Sequence, residues 1–178
     1  MDICVYAASS DAVRDLFKQE AYALGLYFGQ ESHRLIYGGG AVGLMGAIAD
    51  GALAGGAEVT GILPNFMIER EWQHPGVVDI RIVKTMHERK ESLMLSSEAV
   101  VALPGGCGTF EELLEAITWK KLGLYSGEIF IFNSDGYYSS LIDLMSHAVD
   151  ENFMDETPLF TVVSSLDELK SEIRELSE

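Results

Sequence analysis

The chain is 178 residues long, 48% apolar and 10% aromatic, which is enough to bury one substantial core and unlike a disordered segment. A formal net charge of -16, with 12 lysines and arginines in all, excludes an extended nucleic-acid or anionic-membrane surface and leaves room only for a local basic pocket. Two distant cysteines, Cys4 and Cys107, no C-x-x-C pair, no basic leader and no apolar run of membrane-spanning length together point to a cytoplasmic protein.

Ile3 to Ala7 reads as a strand, and Asp11 to Gly29 as a helix with Val13, Leu16, Phe17 and Leu24 on one face. Arg34 to Tyr37 is a second strand, after which Gly38, Gly39 and Gly40 lead into a helix of small residues from Val42 to Ala54. Glu58 to Leu63 forms a third strand ended by Pro64, Asn65 to Gly76 a loop with one helical turn, and Val78 to Val83 a short strand. A helix over Met86 to Ser96 precedes the strand Ala99 to Leu103 and a helix that starts near Thr109. The strand Glu128 to Phe132, a helix over Tyr137 to Asp150, the strand Thr161 to Val163 and a last helix opened by the capping box Ser165-x-x-Glu168 complete the chain.

Such alternation predicts parallel pairing through right-handed crossovers. The expected fold is a single α/β domain over 1–178, with a doubly wound, Rossmann-like parallel sheet of six or seven strands and helices on both faces. Ligands of such sheets lie beyond the carboxyl ends of the strands, which singles out three loops: Ala8-Ser9-Ser10, Gly38 to Gly43, and Pro104 to Thr109.

The second loop, GGGAVGLMG over 38–46, serves helix packing and ligand approach equally well. It has no P-loop lysine, and the next strand brings Thr60, Gly61 and Ile62 where a dinucleotide fold would place an acid. The third loop says more. Gly105, Gly106 and Gly108 can expose successive N–H groups as an anion nest at the positive end of a helix, and the Thr109 hydroxyl can cap that helix and donate to a phosphate oxygen.

Read in the first turn of the same helix, Glu111 and Glu112 suit the macrodipole by about 0.3 to 1 kcal/mol each. They point about 100° apart, so only one readily faces the cradle. Arg89 and Lys90, in MHERKESLM, stand near a helix N-terminus where the dipole opposes them; a solvated pair and a pair recruited to an anion both account for this. His33, His74, His87 and His147 are scattered without H-x-x-x-H or cysteine partners, so no metal site is expected, and His87 is placed at the pocket beside Arg89. Trp72 and Trp119 read as core or subunit interface.

Together these blocks resemble the Lonely Guy (LOG) family, also described as lysine decarboxylase-like: PGGCGTFEE matches P-G-G-x-G-T-x-x-E, MHERK matches M-H-x-R-K, and LIYGGGAVGLMG matches its glycine-rich block. The similarity runs from Ile3 through GILP at 61–64 and FNSDGYYSSL at 132–141 to about Phe160. The resemblance implies a phosphoribohydrolase that cleaves the N-glycosidic bond of cytokinin riboside 5'-monophosphates, and commonly AMP, to free base and ribose 5-phosphate, with no cofactor. It also implies a homodimer or higher oligomer with shared active sites.

Carried onto matching positions, Arg89 and Glu112 are the expected catalytic pair. Substrate contacts are expected from Glu71, Lys90 and Thr118, from Gly105, Gly106, Cys107, Gly108, Thr109, Phe110 and Glu111, and from Ser9, Gly39 and Gly40. Ala8 stands where the family usually has glycine, and Asn152-Phe153 where Gly-Phe is common. Nothing in the sequence suggests a Schiff-base lysine for pyridoxal phosphate. The rival readings are a non-catalytic nucleotide carrier or sensor on the same sheet, and a phosphotransferase, which would need Mg²⁺ ligands or a P-loop lysine that are not evident.

Overall fold

Seven β-α alternations build one sheet in the computed structural model, which describes residues 1–70, 72–155 and 159–177. The strands are β1 (Asp2–Tyr6), β2 (Arg34–Tyr37), β3 (Val59–Pro64), β4 (Asp79–Val83), β5 (Ala99–Ala102), β6 (Glu128–Phe132) and β7 (Thr161–Val163). The helices are α1 (Asp15–Gln30), α2 (Gly43–Gly55), α3 (Asn65–Glu69), α4 (Met86–Leu95), α5 (Cys107–Lys121), α6 (Ser139–Asp150) and α7 (Leu166–Ser177). All strand pairs are parallel and the order is β4-β3-β2-β1-β5-β6-β7. Strand order therefore reverses between β1 and β5, where Val5 lies level with Tyr37 of β2 and Val101 of β5.

Side chains alternate across the sheet and feed two cores, as a sheet covered on both faces requires. Ile3 and Val5 join α1, α2 and α7 through Phe17, Leu24, Leu44, Ile48 and Leu169. Cys4 and Tyr6 join α4, α5 and α6 through Leu93, Leu113, Ile117 and Met145. The central strands are buried on both sides, which is why they read as unbroken apolar runs.

Two expectations shift. Helix α1 begins at Asp15 rather than Asp11, because the Asp11 carboxylate accepts the Gly43 N–H at 2.9 Å and ties the first loop to the start of α2. Leu16, expected on the buried face, is 43% exposed. The glycines of α2 also have a more specific task than packing on the sheet. A methyl at Gly51 would collide with the Tyr22 carbonyl, and one at Gly25 with the Ile48 carbonyl, so α1 and α2 cross backbone to backbone. Ser165 caps α7, its Oγ accepting the Glu168 N–H at 3.2 Å, while the Glu168 carboxylate reaches one residue past the expected box to accept the Ser164 N–H at 2.7 Å.

Candidate active site

The loops after β1, β2, β3 and β5 meet at the carboxyl edge of the sheet beside the reversal point, as the topology predicts. Helix α5 starts at Cys107, two residues earlier than its sequence suggests, with Gly106 as a cap that supplies no side-chain hydrogen bond. Gly105, Gly106 and Gly108 all avoid positive φ, so the cradle does not rest on left-handed residues. Its donors come instead from the helix start: among the described residues no acceptor bonds the N–H groups of Gly106, Cys107, Gly108 or Thr109. A methyl at Gly106 or Gly108 would meet nothing in the chain, whereas one at Gly105 would strike Thr109. Crowding within the protein thus explains glycine at 105 and leaves open space over 106 and 108.

The early start moves Glu111 and Glu112 beyond the first turn, which holds no acidic residue. The macrodipole account of them therefore lapses, since that effect fades within one turn. Glu112 instead points inward, 9% exposed, and accepts from Arg89 Nη1 at 2.8 Å. Arg89, 5% exposed near the start of α4, also donates from Nε to the Ile62 carbonyl at 3.0 Å and from Nη2 to the Gly38 carbonyl at 3.3 Å. Three elements thereby fix one guanidinium, and Gly38 is glycine because a methyl there would collide with Arg89 Nη2. Burial pushes the Glu112 carboxyl above the usual carboxylate range, against the opposing pull of the Arg89 charge.

Lys90 is equally buried but committed: its Nζ lies 2.7 Å from Glu111 Oε1 and 3.2 Å from Glu115 Oε2, carboxylates one turn apart on α5. The hydrogen bond to Glu111 raises the Lys90 ammonium pKa and lowers that of Glu111. These three charges form a closed set beside the Arg89–Glu112 pair.

Two cavities of about 400 Å³ each open here and share Ser9, Met45, Met67 and Arg89. The more polar one is bounded by the Ala7–Ser10 loop, by Arg89 and Lys90, and by Gly106–Thr109 with Glu111 and Glu112. The other is largely apolar, lined by Val42, Met45, Leu63, Met67 and Trp72 beside Gly38 and Gly40. The guanidinium of Arg89 stands between them, with two of its five N–H groups unengaged by described residues.

The remaining expected contacts separate. Ser9, Cys107 and Gly40 line the cavities; Gly39, at φ +76° against Leu63, shapes the turn without lining either. Phe110 turns to the core, edge-on to Tyr138. Thr118 is exposed, bonds the Leu114 carbonyl, and stands roughly 13 Å along the helix from Thr109, away from both cavities of its own chain. Glu71 lies outside the described residues.

Trp72 is not core: it is half-exposed at the apolar cavity, with the Arg70 guanidinium 5.2 Å above its ring. His87 is exposed and lines neither cavity, that place being taken by Met86. Met45, Met67 and Leu63 carry no motif in the sequence; their only signal is position, Leu63 at the carboxyl end of β3 and the two methionines on the helices that follow β2 and β3. Among the described residues no cluster of three potential metal ligands occurs.

A family model described as "possible lysine decarboxylase" matches residues 45–176. The chain is 40% identical over 163 residues to the cytokinin riboside 5'-monophosphate phosphoribohydrolase LOG3 of Arabidopsis thaliana, covering 92% of this chain and 76% of that protein. It is 38% identical over 176 residues to LOG7 of the same plant, covering 99% and 81%. Among solved structures, the molybdenum cofactor carrier protein of Chlamydomonas reinhardtii superposes with a TM-score of 0.79 at 18% identity, covering 99% of this chain and 98% of that one. The molybdenum cofactor binding protein of Rippkaea orientalis gives 0.73 at 21%, covering 99% and 96%. At those identities the structures establish the fold.

Proposed function

The chain belongs to the LOG family of phosphoribohydrolases, and on that premise we propose that it hydrolyses the N-glycosidic bond of nucleoside 5'-monophosphates, AMP or its N6-substituted relatives, to free base and ribose 5-phosphate. One observation carries the reading: a desolvated carboxylate, Glu112, held by Arg89 at 2.8 Å and set one turn beyond a helix start whose amides are free.

A 5'-phosphate accepts from the amides of Gly106–Thr109 at the positive helix end, and the ribose extends along α5 toward Glu112, about 4.5 Å farther on. Water adds to C1', the C1'–N bond breaks with its electron pair leaving on the base, and the proton released by the water ends on that base. Positive charge builds on the sugar in the transition state, and the Glu112 carboxylate stabilises it and orients the water. Arg89 is a fixed cation and no proton donor; it offsets part of the cost of charging the buried Glu112 and turns its free N–H groups toward the departing base. The apolar cavity on the far side of Arg89 supports a purine with an apolar N6 substituent as the group released there.

Lys90, held as an ammonium by two carboxylates, is a poor imine former, so pyridoxal phosphate chemistry does not fit and no step is derived through it. The likeness to molybdenum cofactor carriers supports a binding-only alternative through the fold alone, and a carrier has no use for a buried carboxylate facing its ligand. We also read residues 1–178 as one nucleotide-binding unit that works in the cytoplasm as a homodimer, without nucleic acid or membrane. No described helix is long and apolar enough to cross a bilayer. Exposed Leu114 and Leu122 flank Thr118 at helical spacing, and Leu124 after α5 and Leu144 on α6 are exposed as well. A second copy on that face is what would bring Thr118 to a neighbouring site.

Incubation with AMP and an N6-modified AMP, followed by chromatography, tests the reading. Free base and ribose 5-phosphate in equal amounts are expected from both; recovery of intact nucleotide from every monophosphate tried contradicts it.

A further inference from the structure

Just before the Gly106 cap of α5, the carbonyls of Leu103, Pro104 and Gly105 are all taken by donors from elsewhere in the chain. Leu103 C=O accepts the Tyr138 hydroxyl at 2.7 Å, Pro104 C=O the Ala8 N–H at 3.3 Å, and Gly105 C=O the Tyr137 hydroxyl at 2.5 Å. Both tyrosines belong to the β6–α6 turn. That turn is itself built tightly: Asn133 Oδ1 accepts Tyr138 N–H at 2.7 Å, Asn133 N–H donates to the Val163 carbonyl at 2.8 Å, and Asp135 adopts φ +50°. The rings are locked as well, Tyr137 edge-on to Tyr138 at 5.1 Å and to Phe17 at 5.8 Å.

Carbonyls at these positions would otherwise be the natural acceptors for the amides of Cys107, Gly108 and Thr109, each added bond extending the helix backward. Gly105 C=O is the direct i→i+4 partner of Thr109 N–H. With Tyr137 holding it, that amide remains unbonded.

We propose that Tyr137, with Tyr138 behind it, is a positioning residue for the substrate phosphate: its hydroxyl keeps the Gly105 carbonyl away from α5, so that the helix-start amides stay available to an anion. Tyr137 lines neither cavity of the site and acts through the backbone of Gly105. The proposal rests on the reading that the phosphate sits at Gly106–Thr109.

Tyr137→Phe keeps the ring and removes the donor. The released Gly105 carbonyl, buried in the chain, can accept the Thr109 N–H instead, so no acceptor is stranded and the fold should survive, which thermal melting checks. The test is titration of wild type and variant with ribose 5-phosphate, followed by amide ¹H–¹⁵N NMR, together with AMP kinetics. The expected result is that the amides of Gly106–Thr109 shift in wild type, while in the variant ribose 5-phosphate binds about 10-fold more weakly and KM for AMP rises in parallel with kcat nearly unchanged. Equal affinity in wild type and variant, or a fall in kcat at constant KM, overturns the role of Tyr137 and leaves the phosphate site standing. Absence of shifts at Gly106–Thr109 in wild type overturns both.

Discussion

Glu112 is a carboxylate whose usefulness depends on being charged where burial opposes charge. In the proposed mechanism it stabilises the developing cation only when ionised. Because its pKa lies above the ordinary glutamate value, activity should fall with decreasing pH through that raised pKa, placing the acid limb of kcat/KM above the ~4.3 of a free glutamate side chain. The Arg89 charge pulls the other way, so Arg89→Gln should move the limb to still higher pH as well as lower the rate. A pH–rate profile of both proteins checks this, and a limb that stays put would detach Arg89 from the ionisation of Glu112. At this scale the family resemblance of PGGCGTFEE and MHERK singled out both residues, whereas their own spacing left Glu111 and Glu112 undecided; that the two side chains meet at 2.8 Å comes from the fold. What surrounds the pair was not legible. Gly38, the Lys90–Glu111–Glu115 set and the tyrosine hydroxyls depend on approaches between segments 21 to 51 residues apart, which no local pattern encodes.

Helices α1 and α2 pose the corresponding problem at the scale of elements. Their crossing leaves no room for a Cβ at Gly25, Gly29, Gly51 or Gly55, each of which would run into backbone of the other helix. Gly51→Ala should therefore destabilise the fold, although alanine is the better helix former by about 1 kcal/mol, because forcing the helices apart costs about 1 to 3 kcal/mol and more where backbone cannot yield. Gly56→Ala makes a useful contrast: its φ of +86° disfavours a side chain, but nothing stands within 4 Å of it. Chemical denaturation of the two variants separates overpacking from backbone strain, and a Gly51→Ala protein as stable as wild type would refute the close crossing. The alternation of strands and helices, and most boundaries, could be read from periodicity and punctuation. The start of α5 could not, because a helix capped by Gly106 without a side-chain bond leaves no polar capping signal where it begins.

For the whole molecule, the doubly wound order fixes where chemistry can occur: β5 runs into the unbonded amides of Gly106–Thr109 and β1 into the Ala7–Ser10 loop that bounds the same cavity, while β3 and the turn after β2 bring the carbonyls that anchor Arg89. Topology alone predicted that edge; it did not predict the division into a polar and an apolar cavity, which arises where Met45 of α2 meets Met67 and Trp72 of the β3–β4 connection. The exposed leucines of α5 and α6 belong to this scale too. Sedimentation at micromolar concentration should give a dimer, and Leu144→Glu, 63% exposed, should weaken it without unfolding the chain; a wild-type monomer would leave Thr118 without a site. A crystal structure of Glu112→Gln soaked with AMP tests the proposed placement most directly, because the variant should bind the nucleotide without cleaving it. Phosphate oxygens are expected about 3 Å from the amides of Gly106–Thr109 with C1' facing residue 112; a phosphate bound elsewhere, or residue 112 turned away from the sugar, would contradict the proposed mechanism.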